Sequence, residues 1–223
     1  MANFQQLAIT GYEQQPVPNR FFQPVEHTGH LAVLLPGLNY TAQMPLLYYP
    51  AQLLLSLGAD VLQVNYDYPV RPGYRSLSEE ERDALLHADA DAALRAGLAQ
   101  ADYTRLTLLG KSIGTLALGR LLAGSGLPEH TQAVWLTPLL ANNHAYADLR
   151  QATQHGLFVM GTTDPYYDPA RWQELRAQSH TDMVLIEGAD HGLNLAGNVP
   201  GSVDALGRVM RAMQHFLTDT PLN

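Results

Sequence analysis

Three side chains in this sequence have the types needed to activate a hydroxyl: Ser112, Asp164 and His191. A serine hydroxyl is a poor nucleophile near neutral pH. It needs a base to take its proton, and the base needs an acceptor that fixes its tautomer and stabilises its charged form. Ser112 sits in Gly110-Lys111-Ser112-Ile113-Gly114, between the apolar run Leu106 to Leu109 and a Leu- and Ala-rich stretch with helical character. Strand, sharp turn and helix is the setting in which Gly-x-Ser-x-Gly is informative. A serine on such a turn takes a strained backbone, and side chains two residues either side would collide. Gly110 and Gly114 remove them. The helix that starts beside the serine aims backbone N–H groups and a positive dipole end at the reacting atoms. Asp164 follows the apolar run 156–160, and His191 follows the run 183–186. The order is Ser, Asp, His.

Other chemistries are weighed against this one. Gly110-Lys111-Ser112 also ends a phosphate-binding loop, but that loop needs a glycine at position 105, which holds Arg105. Asp168 rivals Asp164. It directly precedes Pro169 at a helix start and reads as an N-cap. Asp190 reads as a turn residue. His27 and His30 read as loop positions without further ligands at metal-site spacing, and no metal or cofactor is expected. Asp83, Asp89 and Asp91 read as solvated charges on a helix surface. Lys111 reads as a solvent-directed side chain.

The elements that must position these groups follow from hydrophobic pattern. Residues 1–28 hold at most two short strands, Leu7 to Ile9 and Asn19 to Phe22. Leu31 to Leu35 is a continuous apolar run, as expected of a strand buried on both faces. Further strands are expected at Val61 to Tyr66, Leu106 to Leu109, Ala133 to Thr137, Gly156 to Met160 and Met183 to Ile186. Helices alternate with them. One opens near Pro45, a residue suited to a first helical turn, with Thr41 or Gln43 preceding it. One is announced by Ser78-x-x-Glu81, a capping box, and runs to about Ala99. The rest follow Ser112, span Ala145 to Thr153, start at Pro169, and run from Ser202 to Leu217. Six strands alternating with helices imply an α/β architecture, a three-layer sandwich with a mostly parallel central sheet.

Composition sets the outer limits. The 223 residues are expected to form one domain, 1–223. With 46% hydrophobic and 15% charged residues the chain is globular. A net charge of −8 argues against a polyanion-binding surface, so no nucleic acid partner is expected. No cysteine is present, which excludes disulfides and thiolate chemistry. Met1 to Thr10 lacks a basic start followed by an apolar run, and no stretch has the length of a membrane span. The expectation is a cytoplasmic protein with no membrane partner. Oligomeric state is not encoded in these features.

Over roughly residues 30–217 the chain resembles the α/β-hydrolase superfamily. The resemblance rests on Gly110 to Gly114, on Gly161-Thr162-Thr163-Asp164, and on Gly188-Ala189-Asp190-His191-Gly192. It implies a serine hydrolase that acts on an ester, thioester or amide of a small molecule through an acyl-enzyme, with Ser112, Asp164 and His191 as its triad. The competing expectation is a catalytically silent binding module on the same fold. The resemblance also implies an oxyanion hole made of two backbone N–H groups. One comes from Ile113. The other comes from the loop after the first main strand, where the family often has His-Gly. This chain has Pro36-Gly37-Leu38-Asn39-Tyr40, which makes Leu38 the candidate donor. Gly37, Asn39 and Tyr40 are candidates for substrate contact. Only one helix fits between Thr137 and Gly156, so no large lid insertion is expected. The expected pocket walls are Leu38, Tyr40, Tyr68, Leu139, Leu140 and Tyr166.

Overall fold

The computed structural model describes residues 3–218. Eight strands form one sheet: β1 Asn3–Gln5, β2 Asn19–Gln23, β3 His30–Leu35, β4 Asp60–Val64, β5 Arg105–Lys111, β6 His130–Leu136, β7 His155–Gly161 and β8 Thr181–Ile186. Their spatial order is β1-β2-β4-β3-β5-β6-β7-β8. The last six are mutually parallel, and β1 and β2 add an antiparallel edge. Six α-helices connect them: α1 Pro45–Ser56, α2 Glu79–Leu98, α3 Ile113–Leu122, α4 Asn143–Gln151, α5 Pro169–Arg176 and α6 Val199–Thr218.

Strand alternation divides the core in two. Leu31, Val33 and Leu35 of β3 join the cluster under α2 to α5, while Ala32 and Leu34 join the cluster under α1 and α6. Leu108 and Leu109 of β5, and Trp135 and Val134 of β6, split the same way. Such strands, apolar on both faces, cannot sit at a solvated surface. The order of the sheet reverses beside β3. The chain steps from β3 outward to β4, then returns across β3 to β5. Loops leaving β3 and β5 in opposite directions open a crevice at their carboxyl ends. That crevice lies between the Gly37 loop and Ser112.

Local signals set several boundaries. Ser78 accepts from the Glu81 N–H, and Glu81 returns a carboxylate to the Ser78 N–H, so the capping box forms. Pro45 opens α1 as expected, with Met44 at the N-cap position. Between β6 and β7 there is α4 and no inserted domain.

The structure corrects other expectations. Leu7 to Ile9 is not a strand of the sheet: the Asn19 side chain engages both backbone groups of Leu7, and Ile9 O accepts from the Val17 N–H within the same loop. His30 is not a loop residue. It starts β3, is 2% exposed, and its ring meets the Thr107 hydroxyl at 2.8 Å. Burial, and next the charge of Arg105, lower its pKa to about 4. Asp89 is not a solvated charge. It is buried, and accepts from the Tyr12 N–H and the Tyr68 hydroxyl. Burial raises its pKa, against the pull of those two donors.

Candidate active site

The elbow is built as its glycines require. Ser112 joins β5 to α3 at φ 56° and ψ −120°, a left-handed conformation that a side chain adopts only under strain. Such a residue costs on the order of 1–3 kcal/mol, which the surroundings must over-determine. They do so with three hydrogen bonds. The Ser112 N–H donates to Leu136 O, and both the N–H and the hydroxyl of Thr115 donate to Ser112 O. A Cβ on Gly110 would stand 2.6 Å from Gly114 O, and one on Gly114 would stand 2.0 Å from Leu35 O. Neither position admits a side chain. Ile113 begins α3, so its N–H has no intrahelical acceptor.

Asp164 lies in the loop after β7, its side chain wholly buried. Its Oδ1 accepts from the Tyr166 N–H at 2.8 Å, and its Oδ2 lies 2.7 Å from His191 Nδ1. On the far side of the ring, His191 Nε2 is 2.8 Å from Ser112 Oγ. A carboxylate only accepts, so Nδ1 carries the proton and Nε2 presents a lone pair to the serine hydroxyl. The three residues, widely separated in sequence, form one unbroken hydrogen-bonded chain.

The loop that delivers His191 is locked to the loop that delivers Asp164. The Gly188 N–H donates to Thr162 Oγ1, and Thr163 Oγ1 donates to Gly188 O. A Cβ on Gly161 would stand 2.2 Å from Ala189 O, so glycine there lets the two loops touch. Asp190 serves the turn, as expected: its Oδ1 accepts from the Gly192 and Asn194 N–H groups. Asp168 caps α5 by accepting from the Ala170 and Arg171 N–H groups, and no hydrogen bond joins it to His191 among the described residues.

The Gly37 loop closes the crevice from the other side. The Tyr40 N–H donates to Gly37 O, making a tight reversal with Asn39 at φ 61°. A Cβ on Gly37 would meet Ser112 Cβ at 3.1 Å. Gly37 therefore brings backbone against the serine, with Leu38 next in line. Leu38 and Asn39 are exposed at the loop tip, and the Tyr40 hydroxyl accepts from the Leu46 N–H of α1. Among the expected walls, Tyr166 leans on the His191 ring at 5.2 Å between centroids and is 40% exposed. Tyr68, in contrast, is buried against Asp89, and Leu139 and Leu140 are buried in the protein interior.

Sequence reasoning missed two groups. Thr115 and its role at the elbow had a local signal, a hydroxyl three residues past the serine. Lys111 had none. It is 3% exposed rather than solvent-directed, its Cδ is 3.1 Å from the Cβ position of Gly37, and its ammonium lies 4.9 Å over the Tyr40 ring. Burial lowers its pKa to about 8, against the opposing charges of Asp164 and Asp190.

No protein-family model matches the sequence, and no curated protein matches it significantly. Solved structures do. A putative α/β hydrolase from Agrobacterium tumefaciens superposes with a TM-score of 0.74 at 17% identity, over 97% of this chain and 98% of that one. A dienelactone hydrolase from Anabaena variabilis gives 0.69 at 18% identity, over 96% and 97%. A serine hydrolase without a lid from Xanthomonas campestris gives 0.65 at 17% identity, over 99% and 97%. The sheet order, the strained turn after β5 and these full-length superpositions agree that the chain has the α/β-hydrolase fold, in a form without a lid domain.

Proposed function

We propose that the protein is a serine hydrolase that cleaves an ester, thioester or amide of a small molecule through an acyl-enzyme, in the manner of a carboxylesterase. One observation carries the reading: Ser112 Oγ, both nitrogens of His191 and Asp164 Oδ2 are in register at 2.8 and 2.7 Å. Relatives in fold that are described as serine hydrolases add support.

In this reading His191 Nε2 takes the Ser112 proton as Oγ attacks the carbonyl carbon. Asp164, acting through Nδ1–H, stabilises the imidazolium that forms. The carbonyl oxygen becomes an oxyanion held by the N–H groups of Ile113 and Leu38. His191 then gives its proton to the leaving alcohol, thiol or amine, and the acyl group stays on Ser112. Water attacks next, with His191 again as base, and releases the acid. No step calls for a metal or cofactor.

An acyl-enzyme has a kinetic signature. With p-nitrophenyl acetate in excess, stopped-flow mixing is expected to show a burst of nitrophenolate stoichiometric with enzyme wherever deacylation is slower than acylation. Where deacylation is the faster step no acyl-enzyme accumulates, and steady-state turnover, with products partitioning to added methanol at a ratio independent of the leaving group, reports the shared intermediate instead. Folded protein that shows neither turnover nor a burst would instead be a silent binding module.

A further inference from the structure

A groove beside the triad has an unusual lining. It holds about 260 Å³, and its walls continue the two loops that flank Ser112. One wall is Tyr40, Met44 and Leu46, which follow the Gly37 loop into α1. The other is Leu193, Val203 and Leu206, which follow His191 into α6. No charged residue lines it. Its hydroxyls are already engaged. Tyr40 Oη accepts from the Leu46 N–H, while Ser202 Oγ accepts from the Leu195 N–H and donates to Asn198 O. Apolar side chains also stand exposed on its rim: Met44 at 39%, Val203 at 63% and Val199 at 75%. The one further polar side chain is the exposed amide of Asn194 at its edge, whose Nδ2 reaches Asp190 Oδ1, and a surface so largely apolar rewards mainly apolar contact.

Resting on the hydrolase reading, we infer that this groove binds an apolar hydrocarbon substituent of the substrate, so that the protein prefers esters carrying a short to medium alkyl chain. The volume is small for a ligand site, so the preference saturates after a few carbons. Each methylene buried adds about fourfold to kcat/KM, the equivalent of ~0.8 kcal/mol. The chain could belong to the acyl group or to the alcohol, and two series separate them: p-nitrophenyl esters of lengthening acids, and acetates of lengthening alcohols. One series is expected to rise and level off. In Val203→Asp, which charges the exposed rim, and in Leu206→Trp, which fills the floor, the ratio of long-chain to acetyl or ethyl substrate is expected to fall towards one in that same series. Flat series in the wild type, or a ratio unmoved in both variants, would overturn the groove while leaving the hydrolase reading intact. Failure to turn over any ester, thioester or anilide would overturn both.

Lys111 carries a second inference through a different observation. Its buried ammonium takes part in no ion pair within 4.0 Å among the described residues. A charge so placed costs stability unless compensated. Its compensation is the face of Tyr40 together with the nearby carboxylates of Asp164 and Asp190, and Tyr40 in turn holds the first turn of α1 through Leu46. We propose that Lys111 is a positioning residue: its stem props Gly37, its charge pins Tyr40, and together they fix the loop that presents the Leu38 N–H to the oxyanion. The charged groups facing it are Asp164 and Asp190, with Tyr40 the titratable neighbour. The ammonium is charged below about pH 8 and loses its proton above it. Acylation rate is therefore expected to fall as pH rises through that value.

Lys111→Met keeps the stem and removes the charge. It is expected to lower kcat about tenfold, a 1.36 kcal/mol rise in barrier, with KM little changed and the alkaline limb gone. Lys111→Arg, a permanent cation, is expected to keep most of the rate and lose the limb. Burial depresses the lysine's folded pKa, so the charged form opposes folding below about pH 8. Lys111→Met should accordingly melt no lower than wild type at neutral pH. Wild-type kcat in Lys111→Met, or an alkaline limb that persists in it, would overturn the proposal, as would a loss of rate that merely follows a loss of melting temperature.

Discussion

Ser112→Ala is expected to lower ester hydrolysis by on the order of 10⁴-fold or more, with the fold unchanged. The substitution removes one atom whose hydrogen-bonded partner is His191 Nε2. Alanine keeps the Cβ that packs against Gly37, and the same strained backbone is held by Thr115 and Leu136. Stability therefore stays close to that of the wild type, while the atom that would carry the acyl group is gone. The expected residue of activity comes from substrate binding and the two N–H donors alone. The comparison is kcat/KM on a p-nitrophenyl ester alongside a thermal melt. A variant within tenfold of the wild-type rate would remove Ser112 from the mechanism.

Asp164→Asn is expected to cost about as much, on the order of 10⁴-fold. The cause is the tautomer of His191. The carboxylate accepts from His191 Nδ1–H, which leaves Nε2 free to accept the serine proton. An amide at this place can turn its NH₂ towards Nδ1, and the ring proton then moves to Nε2, where it blocks the base. Asp168→Ala provides the contrast. Its carboxylate caps α5 on two N–H groups, so its loss costs about 1 kcal/mol of stability and leaves the rate near that of the wild type. The measurement is the same pair, kcat/KM and melting temperature, on both variants. An Asp164→Asn protein with normal kinetics would free His191 from dependence on that carboxylate, and a dead Asp168→Ala protein would pass the role to Asp168.

Why these groups stand out in the sequence has a physical reason, and so does what stays hidden. The elbow is a local problem. Gly110, Ser112 and Gly114 lie within five residues, and the clashes their spacing avoids are with Leu35 O and with each other. The strands β3 to β7 are apolar on both faces because both faces are covered, so they show as apolar runs, and the edge strand β8 carries its own run from Met183 to Ile186. The placement of Asp164 and His191 after such runs is legible for the same reason. Asp89 is different. Its burial depends on Tyr12 and Tyr68, 77 and 21 residues away, and nothing near it in the chain marks those partners. Lys111 is hidden in the same way. Its side chain is covered by the Gly37 loop and Tyr40, which reach it only because β3 lies next to β5. Leu7 to Ile9 misleads for a further reason. Its pattern fits a strand, and Leu7 and Ile9 are buried as a strand's residues would be, but the Asn19 side chain takes both backbone groups of Leu7 and Ile9 pairs with Val17 inside its own loop.

Ser112 is expected to be an activated nucleophile at rest. A fluorophosphonate reagent tests it most directly, because phosphonylation of a serine requires the base and the oxyanion donors but no knowledge of the natural substrate. The folded protein is treated with the reagent, digested, and read by peptide mass. One adduct is expected, on the peptide that contains Ser112, and none in the same protein denatured before treatment. Folded protein that takes up no label, or takes it up at another serine, would show that Ser112 is not an activated nucleophile.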